Sequence, residues 1–187
     1  LKQVAQPYAT FGGRAGESAA MLNRRAAERL RHRQRCVTAW DYERLLLENF
    51  PAVHRVKCIP HASDTSWMAP GHVLIIAIPD LRNRNLPDPL QPRVDLDTLT
   101  QMAELVRAHA SPQLTVRVRN PAYQPVRLDF KVRFRAGHPF AYTRQRLHEA
   151  IVQALSPWAF AADRPLLFGG RIYRSVLLDF IEELPYV

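Results

Sequence analysis

Apolar positions along the chain follow two periods, and the switches between them divide it into elements. Over residues 18–33 the spacing is helical, with Met21, Leu22, Ala26 and Leu30 on one side. That stripe is thin, so the helix is expected to need a partner surface to stay ordered. Thr38 opens the clearest helix. Asp41, three residues on, completes a capping box with Asp in place of the usual Glu or Gln, and Val37 with Tyr42 fits a hydrophobic staple. Trp40, Leu45, Leu46 and Phe50 add apolar surface, and Pro51 ends the run. Residues 53–59 read as a strand of imperfect alternation. Residues 73–78 are apolar at every position, the pattern of a central strand covered on both faces. Asp95 or Asp97 then caps a helix carrying Leu99, Met102, Ala103 and Val106, and residues 114–118 alternate as a strand.

The cleanest alternation comes after Pro121 and Pro125. Val126, Leu128, Phe130, Val132 and Phe134 face one way; Arg127, Asp129, Lys131, Arg133 and Arg135 face the other. A helix from about Ala141 buries Leu147, Ala150, Ile151, Ala154 and Leu155. Gly169-Gly170 marks a turn, and Ser175 caps a last helix with Leu177, Phe180, Ile181 and Leu184. Residues 1–17, with Pro7 and three glycines, read as an extended arm, and residues 79–94, with four prolines, as a long loop or arm.

This order predicts an α+β chain of two small ferredoxin-like sheet-plus-helix subdomains behind an extended, partly helical N-terminal arm. The expected divisions are 1–34 for the arm and its basic helix, 35–120 for the first subdomain and 121–187 for the second, the last incomplete at its C-terminal end. The chain starts at Leu1, and it is expected to be a fragment of a longer protein.

Composition adds a partner argument. The 187 residues are 47% hydrophobic and 23% charged, which is ordinary for a globular chain, and no apolar run approaches the roughly 18 residues of a membrane span. The formal net charge is +9, and only Lys2, Lys57 and Lys131 among the 26 basic residues are lysine. Arginine suits interfaces because its planar fork grips carboxylates or phosphates at two points. A coding bias toward arginine explains the excess as simply. The densest cluster runs from Arg24 to Arg35.

Candidate chemistry is sparse. Cys36 and Cys58 form no CxxC pair and no disulfide framework, which favours assembly in a reducing cytosol. The seven histidines lack metal-ligand spacing and read as surface or loop residues; His61 and His72 bracket the polar loop at 61–71. Asp64, Ser66 and His72 supply the residue types of a triad, on a loop without evident rigid support. Dinucleotide, P-loop and nucleophile-elbow motifs are missing from the sequence. Neither a cofactor nor a catalytic residue is expected. Trp67 and Met68 in the polar loop read either as interface anchors or as side chains folded back over their own sheet. The basic face of 126–135 lacks the outward aromatics on which RNA-binding sheets stack bases, so nucleic acid is the weaker partner class, kept as the alternative.

Several segments together resemble the baseplate J-like family, wedge components of contractile phage tails and related injection systems. They are Arg35-Cys36-Val37-Thr38-Ala39-Trp40-Asp41-Tyr42-Glu43-Arg44-Leu45 running on to Phe50-Pro51-Ala52-Val53, then Pro70-Gly71-His72-Val73-Leu74-Ile75-Ile76, Pro121-Ala122-Tyr123-Gln124-Pro125-Val126, Phe168-Gly169-Gly170-Arg171-Ile172-Tyr173-Arg174-Ser175 and the Leu184-Pro185-Tyr186-Val187 end. The resemblance implies the C-terminal part of a larger wedge subunit without an active site. It implies packing against other wedge subunits, a second copy of the chain among them, in a phage tail or phage-like particle assembled in the bacterial cytoplasm. No membrane or small-molecule partner is implied. Candidate interface residues are Arg24, Arg25, Arg29, Trp67, Met68, Arg127, Lys131, Arg133 and Tyr186. The arginine cluster is denser than that role requires.

Overall fold

A computed structural model of the chain describes residues 16–81, 88–160, 166 and 168–187. Most of the expected N-terminal arm and the middle of the proline-rich loop lie outside the described residues. In chain order the elements are α1 (Ala19–His32), α2 (Ala39–Asn49), β1 (Val53–Pro60), β2 (His72–Pro79), α3 (Leu96–His109), β3 (Thr115–Arg119), α4 (Phe140–Leu155), the short α5 (Pro157–Phe160) and α6 (Arg174–Glu182).

The helix starts follow local chemistry. At α2 the Thr38 side chain accepts from the Asp41 N–H, and the Asp41 carboxylate accepts from the Thr38 N–H at 2.7 Å, so the expected capping box is complete. The staple does not form. Val37 stays exposed while Tyr42 turns into the core. Asp95, not Asp97, caps α3 by accepting from the Thr98 N–H at 2.8 Å. The last helix starts two residues earlier than expected, after Tyr173, so Ser175 lies inside α6 and caps nothing.

The three strands form one mixed sheet in the order β1-β2-β3, antiparallel between β1 and β2 and parallel between β2 and β3. A parallel pair needs a crossover, and α3 supplies it. β2 is buried from Val73 to Pro79, as its unbroken apolar run predicted. Its alternate residues serve two clusters. Val73, Ile75 and Ala77 join Tyr42, Leu45 and Leu46 of α2 and Leu99, Met102 and Val106 of α3 in the main core. Leu74 and Ile76 face the other way, against Ala62, with Ile59 and Phe168 packed at the margin. Residues after α5 thus return to cover the second face of the first sheet, and the Leu166 carbonyl accepts from Arg55 there.

A second sheet is not present among the described residues. Residues 121–135 run without turn, bend or helix, and none of them belongs to a strand ladder. Their burial still alternates near the C-terminal end: Val132 and Phe134 are partly buried, while Lys131, Arg133 and Arg135 are exposed. Alternation specifies which face a strand buries. A ladder also needs a second edge, and the regular elements described in this half are all helices. Leu147 and Ile151 of α4, Ile181 of α6 and Tyr186 close a small cluster on which Val132 and Phe134 rest.

Both cysteines are free and buried in the main core. Burial pushes each thiol up to about 12, with the Asp41 carboxylate adding at Cys36 and the Glu43 carboxylate at Cys58. A folded thiol that holds its proton more tightly than an unfolded one stabilises the fold at neutral pH. That contribution is lost as pH rises above the unfolded thiol value of about 8.5 toward the folded value. The melting temperature is therefore expected to fall between about pH 8.5 and 11, and to fall less in a Cys36→Ala/Cys58→Ala variant, read by thermal denaturation across pH. Equal slopes would contradict this. In the same assay at neutral pH, Ile75→Ala is expected to cost about 2–5 kcal/mol, the range for an unfilled core cavity.

Candidate assembly surfaces

The first surface is built where α1 meets α2. This junction is ionic and aromatic, with little apolar contact. Glu48 of α2, largely buried, draws three basic groups from α1: Arg29 at 3.1 Å, His32 at 3.8 Å and Arg25 at 4.0 Å. Arg25 also forms a two-point pair with Glu17, and Glu28 of α1 pairs with Arg44 at 3.4 Å. The Trp40 ring lies under the Arg31 guanidinium, 4.3 Å from its centroid, and beside Arg44 and His32. Arg25 and Arg29, expected to face a partner, are thus engaged within the chain. Arg24 is exposed. His32 departs from the expected surface or loop position, since it is 4% exposed and its Nδ1 accepts from the Gln34 N–H.

Because polar groups hold α1 in place, its apolar stripe stays free. Met21 is 59% exposed and Leu30 77%, with Leu22 beside them. The thin stripe read from the sequence therefore faces outward, and its need for a covering surface is unmet within the described residues.

The second surface is the loop between β1 and β2. The Ser66 hydroxyl donates to the Met68 carbonyl and accepts from the Met68 N–H, and the Ala69 N–H donates to the His61 carbonyl at 2.7 Å. Asp64 pairs with Arg117 and Arg119 of β3. The loop is therefore stitched in place, contrary to the expectation of no rigid support, and its Ser and Asp are occupied in holding it. Trp67 and Met68 do not fold back over the sheet; they stand out at 73% and 88% exposure.

The third surface lies in the second half. Arg127, Lys131 and Arg133 are exposed and pair with no carboxylate among the described residues. Of the segment's aromatics, Phe134 packs on Phe140 and Tyr186, and Phe130 lines a groove beside α4. Tyr186 is 3% exposed, wedged among Phe134, His138 and the Arg146 guanidinium, so its place is in the chain's own packing. A neighbouring groove of about 650 Å³ is lined by Tyr123, Trp158, Ile172, Tyr173, Val176 and Phe180, among others. Among the described residues, no group of His, Cys, Asp and Glu is arranged to hold a metal ion, and no helix is long and apolar enough to cross a membrane.

The family described as baseplate protein PVC11-like matches residues 1–187. The chain belongs to this family. It is a family of structural baseplate proteins, not of enzymes. Among solved structures, a chain of the cryo-EM structure of the anti-feeding prophage (AFP) baseplate, 6-fold symmetrised, is similar at 27% identity and a TM-score of 0.59. The likeness covers 89% of this chain and 34% of that one, so this PVC11-like chain spans about a third of its length. Among curated proteins none matches.

The α1–α2 junction makes a direct prediction. Glu48→Ala removes the anion that Arg25, Arg29 and His32 share. It is expected to cost about 1–2 kcal/mol in urea denaturation, between an exposed and a buried ion pair. Amide exchange is expected to speed up in α1 while the β2 amides keep their protection. Unchanged exchange in α1 would show that the charge cluster does not hold it.

Proposed function

We propose that this chain is a wedge module of the baseplate in a phage-like contractile injection particle, and the C-terminal part of a larger J-like wedge subunit. The observation that carries the reading is the family match along all 187 residues, joined to the likeness with a baseplate protein of the anti-feeding prophage. The surface chemistry supports it. A stable sheet core carries three outward features: the α1 stripe, the Trp67–Met68 loop tip and the basic 126–135 segment. Large exposed aromatic and aliphatic side chains beside arginine are the usual anchors of protein interfaces. In this reading neighbouring wedge subunits cover these features in a ring, the particle forms in the bacterial cytoplasm, and the module performs no chemistry.

The test separates folding from assembly. Met21→Asp with Leu30→Asp alters side chains that are already exposed, so the melting temperature of the isolated chain is expected to stay within about 2 °C. Co-expressed with the other baseplate proteins of its particle, the variant is expected to incorporate at least about tenfold less than the unmodified chain, the effect of losing one apolar anchor pair. Quantitative mass spectrometry of purified particles reads the ratio. Equal incorporation would remove α1 from the interface, and absence of the unmodified chain from particles would remove the baseplate reading.

A further inference from the structure

Residues 126–134 have the sequence of a strand and, among the described residues, none of its pairing. Five apolar residues alternate with four polar ones. Yet no main-chain N–H or C=O from 126 to 134 has a hydrogen-bond partner among the described residues. The first rung beyond the segment is made, since the Arg135 N–H donates to the Tyr186 carbonyl at 3.1 Å.

The apolar face is covered unevenly. Val132 and Phe134 rest on the α4–α6 cluster, while Val126, Leu128 and Phe130 remain 48%, 38% and 39% exposed. Between this face and α4 lies a groove of about 570 Å³, lined by these side chains with Phe140, Leu147 and Ile151. On the opposite face Arg127, Lys131 and Arg133 surround the single acid Asp129, which leaves an uncompensated positive stripe.

From these features we infer that residues 126–134 form a docking edge for an extended segment of a neighbouring baseplate protein whose apolar residues alternate with acidic ones. The inference rests on the baseplate reading. Main-chain hydrogen bonds would complete the ladder, alternate apolar side chains would enter the groove beside α4, and the intervening carboxylates would meet the arginine and lysine stripe. The positive stripe selects this occupant over a second copy of the same edge, because two such edges would bring like charges face to face.

Hydrogen exchange decides the matter in whole particles. Peptides spanning 126–134 are expected to exchange about a hundredfold more slowly in the particle than in the isolated chain. Proline removes a donor without disturbing a bond that is not made. Arg127→Pro with Lys131→Pro blocks one edge of the segment, and Val126→Pro with Phe130→Pro blocks the other. One of the two pairs is expected to abolish the slowing and lower incorporation at least about tenfold, with the isolated chain's melting temperature unchanged. A photo-crosslinker at position 129 is expected to capture an apolar-acidic segment of a different subunit. Fast exchange of 126–134 in particles that contain the chain, indifference to both proline pairs, or a crosslink to a second copy or within the same polypeptide would each overturn the inference. Absence of the chain from particles would instead overturn the baseplate reading beneath it.

Discussion

Burial of β2 on both faces is the constraint from which the rest of the structure follows. A strand with apolar side chains at every position from Val73 to Ile78 is stable only between two layers. One layer is α2 with α3, held at the sheet by Leu45, Leu46, Met102 and Val106. The other is thinner, made by Ala62 and the returning residues at 166 and 168. Each fully buried Leu or Ile contributes about 1.5–3 kcal/mol, so the main core supplies most of the apolar stabilisation. Outside it, α1 is attached through Glu48, and residues 132–187 pack around a small apolar cluster of their own, centred on Leu147, Ile151, Ile181 and Tyr186.

That gradient suits a part made to be assembled. The sheet and its helices fix where the Trp67–Met68 tip and the α1 stripe stand, the α4–α6 cluster holds the end of the 126–135 segment, and their outward groups are left unspent. Polar attachment of α1 has a specific consequence. Glu48 and Trp40 of α2 engage its inward basic residues and Arg44 of α2 takes its Glu28, so its apolar residues are directed away from the chain. The arginine excess is thereby partly explained. Arg25, Arg29 and Arg31 hold α1 to α2, while Arg24, Arg33 and Arg35 remain exposed.

Local signals were legible in the sequence wherever a short stretch carries its own answer. The Thr38–Asp41 capping box, the Asp95 cap, the unbroken run of β2 and the helical spacing of Leu147 and Ile151 all depend on residues within a few positions of one another. Long-range pairings were not legible. Nothing in the spacing around His32 announces Glu48, sixteen positions away and on another helix. The alternation at 126–135 gives a face without naming a partner. Tyr186, expected at an interface, is enclosed by Phe134 and Arg146 of its own chain. The exposed Met21, Leu30, Trp67 and Met68 mark where folding within the chain stops and contact with other chains begins in the proposed assembly.

The central claim is that these outward features are interfaces. A cryo-EM reconstruction of the particle that contains this chain, resolved to side chains, tests it most directly. The account predicts Met21, Leu30, Trp67 and the 126–134 segment each covered by a neighbouring subunit around the ring. All of them facing solvent in the assembled baseplate would contradict it.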